Sequence, residues 1–214
     1  GKTTALRSFA SSLNPSLYKV IYSSLSTLTV MDFYRNLAAE LGAVPAYRKT
    51  ENFKLIQDEI NRLAIEKRQT PVIIMDEANY IGTAILNDLK ILFNFEMDSR
   101  DRAVILLVGL PQLNNTLQLS IHEPLRQRII MNYNIDGYSK EEGRAYIEWK
   151  LKKAGCTDPV FDDAAIEAIL NASDGTARMI SKLCNASLVI GHSQAVNRIT
   201  ADIVMQAIND STLG

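Results

Sequence analysis

The first residues of the chain, Gly-Lys-Thr-Thr, precede a stretch with the apolar spacing of a helix. A bound triphosphate needs a cation at its β and γ oxygens, a hydroxyl on its Mg²⁺ and backbone N–H groups at a helix N-terminus. Lys2 would supply the cation and Thr3 the hydroxyl, with Gly1 and Thr4 beside them in the same phosphate-binding segment. The same tetrapeptide also suits an ordinary charged helix start, so it does not decide the chemistry alone.

The glycine that opens such a loop lies roughly five residues earlier, before the first residue of the sequence. We therefore expect several phosphate-binding amides to be missing and nucleotide binding by this chain to be impaired.

Two acids at the end of an apolar run favour the phosphate interpretation. The segment VIIMDEAN predicts a buried parallel strand that ends at Asp76 and Glu77. Ligands of open α/β sheets bind at the carboxyl ends of the strands. Asp76 would hold Mg²⁺ through a water molecule, and Glu77 would polarise the attacking water. Two solvated acids at a strand end are the alternative, which the lysine of GKTT makes less plausible.

Three arginines are candidates for stabilising the charge that develops in phosphoryl transfer. Arg126 and Arg128 lie in EPLRQRI, just before the predicted last strand, and Arg178 lies near a helix start in SDGTARMISKLC. Alternatively, Arg126 and Arg128 are surface residues that balance the charge of Glu123, and Arg178 is an exposed arginine at a helix end.

Composition excludes several classes of protein. The chain has 214 residues, a net charge of −1 and 47% hydrophobic residues, which excludes a globally basic nucleic-acid binder and wholesale disorder. Cys156 and Cys184 lack metal or disulfide spacing and predict reduced thiols in a cytoplasmic protein. His122 and His192 lack metal spacing as well. No apolar run is long enough to span a membrane, and no signal-peptide pattern is present.

Strands and helices alternate in the first part of the chain, which predicts an α/β doubly wound, mainly parallel sheet. The predicted strands lie at residues 18–25, 70–79, 102–111 and 131–135, the last one reading MNYNI. The predicted helices follow GKTT up to Asn14 and lie at residues 29–42, 51–69, 82–98 and 119–130.

Only helices are predicted after Gly137, at residues 139–154, 161–171, 176–190 and 200–209. Ser139, with Glu142 three residues later, and Thr200 are plausible N-caps. We divide the chain into an α/β core, residues 1–136, and an all-helical lid domain, residues 137–214. Trp149 is expected to be a packed helix residue rather than a base-stacking platform, and the nearby lysines a solvated face.

In this order, GKTT, VIIMDEAN, LRQRI and GTAR resemble the Walker A, Walker B, arginine-finger and sensor-2 elements of AAA+ P-loop ATPases. The segments LLVGLPQL and GTARMISKLCNASLVIG are similar to the ExeA/TniB-type group, relatives of the Orc/Cdc6 initiators. That group includes the transposition helpers TnsC and MuB and the secretion ATPase ExeA.

The resemblance implies ATP and Mg²⁺ as cofactors and hydrolysis between subunits of a homo-oligomeric ring or filament. Lys2, Thr3, Asp76 and Glu77 would take the family roles, with Arg128 the better finger candidate and Arg178 the sensor-2 arginine. One departure is that no polar sensor-1 residue follows ILLVG, so that Gln112 or Asn114 would have to substitute.

By this resemblance alone, the favoured biological role is a transposition helper that binds double-stranded DNA and a transposase. Arg48 and Lys49, in a predicted polar loop, could contact the DNA backbone, although surface loops are usually polar anyway. The alternatives are an ExeA-like assembly ATPase of the envelope and a nucleotide-gated binding module that does not hydrolyse ATP.

Overall fold

A computed structural model describes residues 1–24, 29–96, 100–156 and 158–212. The chain divides into two compact units, residues 1–134 and 135–214. The sequence analysis placed the division between residues 136 and 137. Leu25, Met97 and Asp98, which end two of the predicted elements, lie outside the described residues.

The first unit contains a parallel sheet of three strands in the order β1-β2-β3. Its strands are β1 (Tyr18–Ser24), β2 (Thr70–Asp76) and β3 (Val104–Leu107). Ser24 pairs with Asp76, and Met75 pairs with Leu107. All three strands therefore end at the same edge of the sheet, where open α/β sheets bind ligands.

The described helices of the first unit alternate with these strands, as predicted. They are α1 (Lys2–Ser12), α2 (Val30–Leu41), α3 (Lys49–Asn61) with a π-helical continuation (Arg62–Glu66), α4 (Thr83–Leu92), α5 (Gln112–Gln118) and α6 (Glu123–Arg126). Single 3₁₀ turns lie at Ala78–Tyr80 and Ser120–His122.

Helices cover both faces of the sheet. Leu6 of α1 packs against Val72 and Ile74 of β2, whose side chains share one face. Ile73 and Met75 point to the other face, into the larger core that α2, α3 and α4 form. The α/β fold predicted from the sequence is confirmed.

The predicted last strand, MNYNI at residues 131–135, is wrong. Residues 129–139 form neither helix nor strand, and Ile130 is 98% exposed. A strand needs a neighbour that takes its backbone N–H and C=O groups, and none of the three described strands pairs with this segment. The apolar composition was therefore not sufficient to make a strand.

Two predicted helices are shorter than expected. Helix α4 ends at Leu92 rather than continuing towards residue 98, because the Gln57 side chain donates to the carbonyls of Leu92 and Asn94 (3.3 Å each). The predicted helix 119–130 is a 3₁₀ turn followed by the single turn of α6, with Pro124 in its first turn.

The described residues of the second unit form four helices and one isolated parallel β-bridge, between Phe161 and Ile199. Its helices are α7 (Lys140–Lys153), α8 (Asp163–Ser173), α9 (Ala177–Ser193) and α10 (Ala201–Thr212). They share one core, which includes Ile147, Ile169, Ile180 and Val204. Ser139 and Glu142 form the predicted capping box at the start of α7.

One prediction for this unit needs correcting. Trp149 was expected to be a packed helix residue, yet it packs against Tyr146 with its ring and remains 53% exposed.

Candidate functional site

Asp76, the last residue of β2, is buried to 6% exposure and held by two donors. The Tyr22 hydroxyl donates to its Oδ2 (2.7 Å), and the backbone N–H of Glu77 donates to its Oδ1 (2.9 Å). Two donors to separate oxygens fix the plane of the carboxylate. Each oxygen keeps a lone pair for a further ligand.

Glu77 is exposed and its backbone is left-handed, with φ 53° and ψ 34°. A residue with a side chain adopts this conformation at a cost of about 1–3 kcal/mol, and such residues cluster at functional sites. The conformation ends β2 abruptly, and the next residue, Ala78, is fully buried and donates from its N–H to the carbonyl of Val108. The turn therefore leaves Glu77 at the carboxyl edge of the sheet.

The first turn of α1 lies at this edge as well. Leu6, one turn beyond Lys2, packs against Val72 and Ile74, and Arg7 is close enough to the Tyr22 hydroxyl to affect its pKa. Gly1 is the N-cap of α1, and its carbonyl accepts from the N–H of Ala5. Lys2, Thr3 and Thr4 therefore belong to the helical turn that begins at the edge where Asp76 ends.

Tyr22 is a site residue that the sequence analysis missed. Its hydrogen bond to Asp76 raises the pKa of the phenol, with further contributions from desolvation and the negative charges of Asp76 and Glu77, while Arg7 lowers it. Tyr22 therefore stays protonated and remains a donor to Asp76 throughout the physiological range. A tyrosine in a strand is too common to signal such a role, so only the parallel register of β1 and β2 reveals it.

The end of β3 is held by Asn79, whose side-chain oxygen accepts from the N–H of Leu110 (2.9 Å). Gly109 lies so close that a Cβ there would be 2.9 Å from the backbone nitrogen of Asn79. The predicted substitutes for a polar sensor-1 residue lie in α5: Gln112 is its first residue, and Asn114 pairs with the side chains of Asn132 and Asn134. Asn79 therefore places a polar side chain beside the turn that leaves β3.

Both arginine-finger candidates contact backbone carbonyls of their own chain. Arg126 donates from Nη1 to Leu117 (3.2 Å) and Gln118 (2.9 Å), the carbonyls that end α5. Arg128 donates from Nη1 to Lys90 (3.0 Å), in the last turn of α4. These contacts fix where each guanidinium lies within the first unit.

The remaining candidates lie elsewhere. Arg178 is an exposed residue in the first turn of α9, in the second unit. Lys49, proposed as a DNA contact, is the first residue of α3, forms an ion pair with Asp88 and lies 5.1 Å from the Tyr34 ring. Arg48, its neighbour, is exposed.

Across the described residues, no group of three or more His, Cys, Asp or Glu side chains could hold a metal ion. A Mg²⁺ ion that is bound with a nucleotide needs only one or two protein oxygens, because phosphates and water complete its octahedron. The oxygens of Asp76 and Thr3 are therefore suitable ligands for a Mg²⁺ ion bound with a triphosphate. The Lys2 ammonium is suited to binding the negatively charged phosphates.

The two cysteines are free, as predicted. Burial raises the pKa of the Cys184 thiol to about 11, so this thiol is protonated and unreactive at neutral pH. No helix in the described part of the chain has both the length and the apolar character needed to cross a membrane.

A family model described as an AAA domain matches residues 1–117. The match spans more than half of the chain, from the first residue through α5. The chain belongs to the AAA domain family. The predicted resemblance to AAA+ nucleotide-binding ATPases is thereby confirmed.

One relative is similar to this AAA domain protein in sequence, and two solved structures are similar to it in fold. The chain is 30% identical over 213 residues to General secretion pathway protein A of Aeromonas hydrophila, covering 97% of this chain and 38% of that protein. Its fold is similar to Cdc6p of Pyrobaculum aerophilum (TM-score 0.68, 15% identity, 93% and 55% of the two chains). It is also similar to the ADP form of the ORC2 protein of Aeropyrum pernix (TM-score 0.62, 16% identity, 98% and 58%).

The chain thus spans little more than a third of the secretion protein and just over half of each solved chain. The two solved structures establish the fold alone.

Proposed function

We propose that this AAA domain protein hydrolyses ATP at the carboxyl edge of its sheet and uses the nucleotide state to control a homo-oligomer. Three features support the proposal. Asp76 is oriented by two donors, Glu77 protrudes from a left-handed turn, and α1, which packs on β2 through Leu6, begins with Lys2 and Thr3.

Each residue has a separate task in this proposal. The Lys2 amine binds the β and γ phosphates, and the Thr3 hydroxyl and the Asp76 carboxylate hold Mg²⁺, which neutralises charge on the phosphates. The amides around Gly1 and Thr4 add donors at the positive end of α1. Glu77 accepts a proton from the attacking water.

Arginines complete the site. Arg128, or Arg126, reaches the γ phosphate of a neighbouring subunit, and Arg178 of the second unit is the proposed sensor-2 arginine. Arg126 donates to the carbonyls of Leu117 and Gln118 through Nη1, and its Nε and Nη2 donate to no group among the described residues, so they keep N–H groups for a phosphate. A site shared between subunits ties hydrolysis to assembly.

Substitutions at this edge test the proposal. We expect Glu77→Gln to lower the ATPase rate by a factor of about 10²–10⁴, the usual contribution of a general base, while ATP binding persists. Lys2→Ala should abolish ATP binding. Glu40→Gln, which neutralises an exposed acid of α2, is the matched control and should leave both unchanged. Wild-type turnover by Glu77→Gln would refute the assignment of Glu77.

The same variant separates the ATPase from a binding module that does not hydrolyse ATP. If turnover drives release, Glu77→Gln should trap the ATP-bound oligomer, detected by size-exclusion chromatography with ATP. If the nucleotide acts only as a gate, assembly and release should match those of the wild type.

Two roles for the oligomer remain to be distinguished. The likeness to a general secretion pathway protein supports an assembly role in the envelope. The sequence motifs support a transposition helper in the cytoplasm, with double-stranded DNA and a transposase as partners. Duplex DNA that stimulates the ATPase would favour the second role, and indifference to DNA would favour the first.

A further inference from the structure

Three aromatic rings form a row on the second unit. The ring centroids of Tyr138 and Tyr146 are 5.3 Å apart, and those of Tyr146 and Trp149 are 6.4 Å apart with planes inclined by 26°. Trp149, at the outer end of the row, is 53% exposed, and Tyr138 is 40% exposed. The core of the second unit does not include Trp149, so burial in that core does not explain this indole.

Two lysines stand over these rings. The Lys153 ammonium lies 5.0 Å from the centre of the Trp149 ring, and the Lys150 ammonium lies 5.7 Å from that of Tyr146. Both side chains are exposed. Within the described part of the chain, neither ammonium lies within ion-pair distance of a carboxylate.

Neighbouring residues leave this surface positive. The pKa of the Arg144 guanidinium is raised mainly by its hydrogen bond to Asp163, and the charge of Glu148, one turn further along α7, adds a smaller contribution. On the adjoining helix α9, the Ser181 hydroxyl is hydrogen-bonded to the Tyr146 hydroxyl (2.9 Å). Lys182, the next residue, is exposed. The second unit carries more acidic than basic residues overall, so this lysine cluster is a local feature.

We propose that Trp149, Lys150 and Lys153, named here the Trp149 surface, bind single-stranded nucleic acid. The indole provides a plane on which a base stacks, and the ammonium groups provide contacts for the flanking phosphates. An exposed cation–π contact is weaker than base stacking on an aromatic ring. A base therefore displaces Lys153 from the ring, and its ammonium moves to a phosphate.

The combination of a ring and lysines selects among polyanions. A duplex keeps its base faces stacked inside, so it would use the lysines and leave the indole idle. An acidic peptide would likewise pair with the ammonium groups and provide no flat partner for the ring. Only a single strand uses both parts of the Trp149 surface. Single-stranded DNA and RNA both present unpaired bases and phosphates, so either could be the ligand.

This inference does not depend on the proposed ATPase. All residues of the Trp149 surface lie in the second unit, whereas Lys2, Thr3, Asp76 and Glu77 lie in the first. Loss of ATP hydrolysis in the Glu77 variant leaves the Trp149 surface intact, so the two proposals fail separately.

Tryptophan fluorescence gives a direct test, because Trp149 is the only tryptophan of the chain. We expect oligothymidylate of about 20 nucleotides, longer than a typical single-strand site, to quench this fluorescence in a saturable way. Oligouridylate of the same length distinguishes RNA from DNA. A duplex of the same length and polyglutamate serve as the phosphate-only and acidic-peptide probes.

Three variants assign the binding to these residues, with affinity measured by the anisotropy of a fluorescein-labelled strand. Trp149→Leu should weaken binding about tenfold, as expected for one lost stacking contact. The double variant K150Q/K153Q should flatten the plot of log affinity against log salt by about 1.4, since each phosphate contact on a single strand contributes about 0.7.

Lys140→Gln, at the opposite end of α7, is the matched control. Lys140 pairs with Glu167 on the surface (3.5 Å), a contact of little energy, so this variant should bind as the wild type does. Circular dichroism checks that every variant keeps the helical fold.

Several results would overturn the inference. One is unchanged fluorescence and anisotropy with both single strands. Another is undiminished binding by Trp149→Leu, which would place the strand elsewhere. Equal affinity for the duplex without quenching would reveal phosphate contacts only, and polyglutamate competing as well as oligothymidylate would assign the surface to an acidic protein.

Discussion

Tyr22 holds the carboxylate proposed to bind Mg²⁺, and this role can be tested apart from its role in the fold. Tyr22→Phe removes the donor to Asp76 Oδ2 and leaves only the N–H of Glu77 to orient that group. Loss of one hydrogen bond of ordinary strength should raise the half-saturating Mg²⁺ concentration for ATP hydrolysis about two- to tenfold.

Tyr18→Phe is the control for this experiment. Tyr18 lies on the same face of β1, four residues earlier, at the opposite edge of the sheet from Asp76. The thermal midpoint should be similar for the two variants, since both tyrosines are substantially exposed. If their half-saturating Mg²⁺ concentrations are also equal, Tyr22 does not position Asp76.

At the scale of elements, the junction before α7 depends on the close contact between Gly137 and Gly175. A Cβ on Gly175, whose φ is +68°, would clash with the carbonyl oxygen of Tyr138. Gly155 also has a positive φ, +85°, but nothing lies within 4 Å of a Cβ there. Comparing substitutions at Gly155 and Gly175 therefore separates the cost of backbone strain from the cost of steric crowding.

Gly155→Ala should cost about 1–2 kcal/mol, the strain of a left-handed alanine. Gly175→Ala should cost about 1–3 kcal/mol more, because the atoms in the way belong to the backbone and cannot rotate aside. Urea unfolding followed by Trp149 fluorescence measures both, since the indole lies in the same unit. Equal losses of stability in the two variants would mean that the backbone of Gly137 and Tyr138 moves away from residue 175 without cost.

Elements defined by local sequence were predictable, and those defined by distant partners were not. The helices of the second unit follow from their apolar spacing and from the Ser139 capping box, both of which are local. The MNYNI segment has the composition of a strand but no described partner strand. Similarly, α4 ends where Gln57, from a different helix, reaches its last carbonyls.

The candidate site divides in the same way. Asp76 and Glu77 could be located from the sequence because a buried run ending in acids indicates both the strand and the edge. Tyr22 and Asn79 could not, since each acts on a residue brought near by strand pairing or by a turn. The exposure of Trp149 was missed for the opposite reason, because an aromatic residue on a helix usually packs into the core.

At the scale of the whole molecule, the two units have separate cores. The cores on the two faces of the sheet use only residues of the first unit, and the helical core uses only residues of the second. Since hydrophobic burial dominates folding, a unit with its own core should fold alone. We expect residues 135–214, produced separately, to be helical by circular dichroism and to unfold cooperatively on heating.

Two core substitutions make this expectation specific. Ile180→Asp places a charge in the fully buried centre of the second unit and should abolish the transition of the fragment. Leu37→Asp does the same to the first unit. In the whole chain, Leu37→Asp should leave the melting of Trp149 fluorescence within a few degrees of that of the isolated fragment. If Leu37→Asp instead unfolds both units together, the second unit depends on the first, and the Trp149 surface must then be studied only in the whole chain.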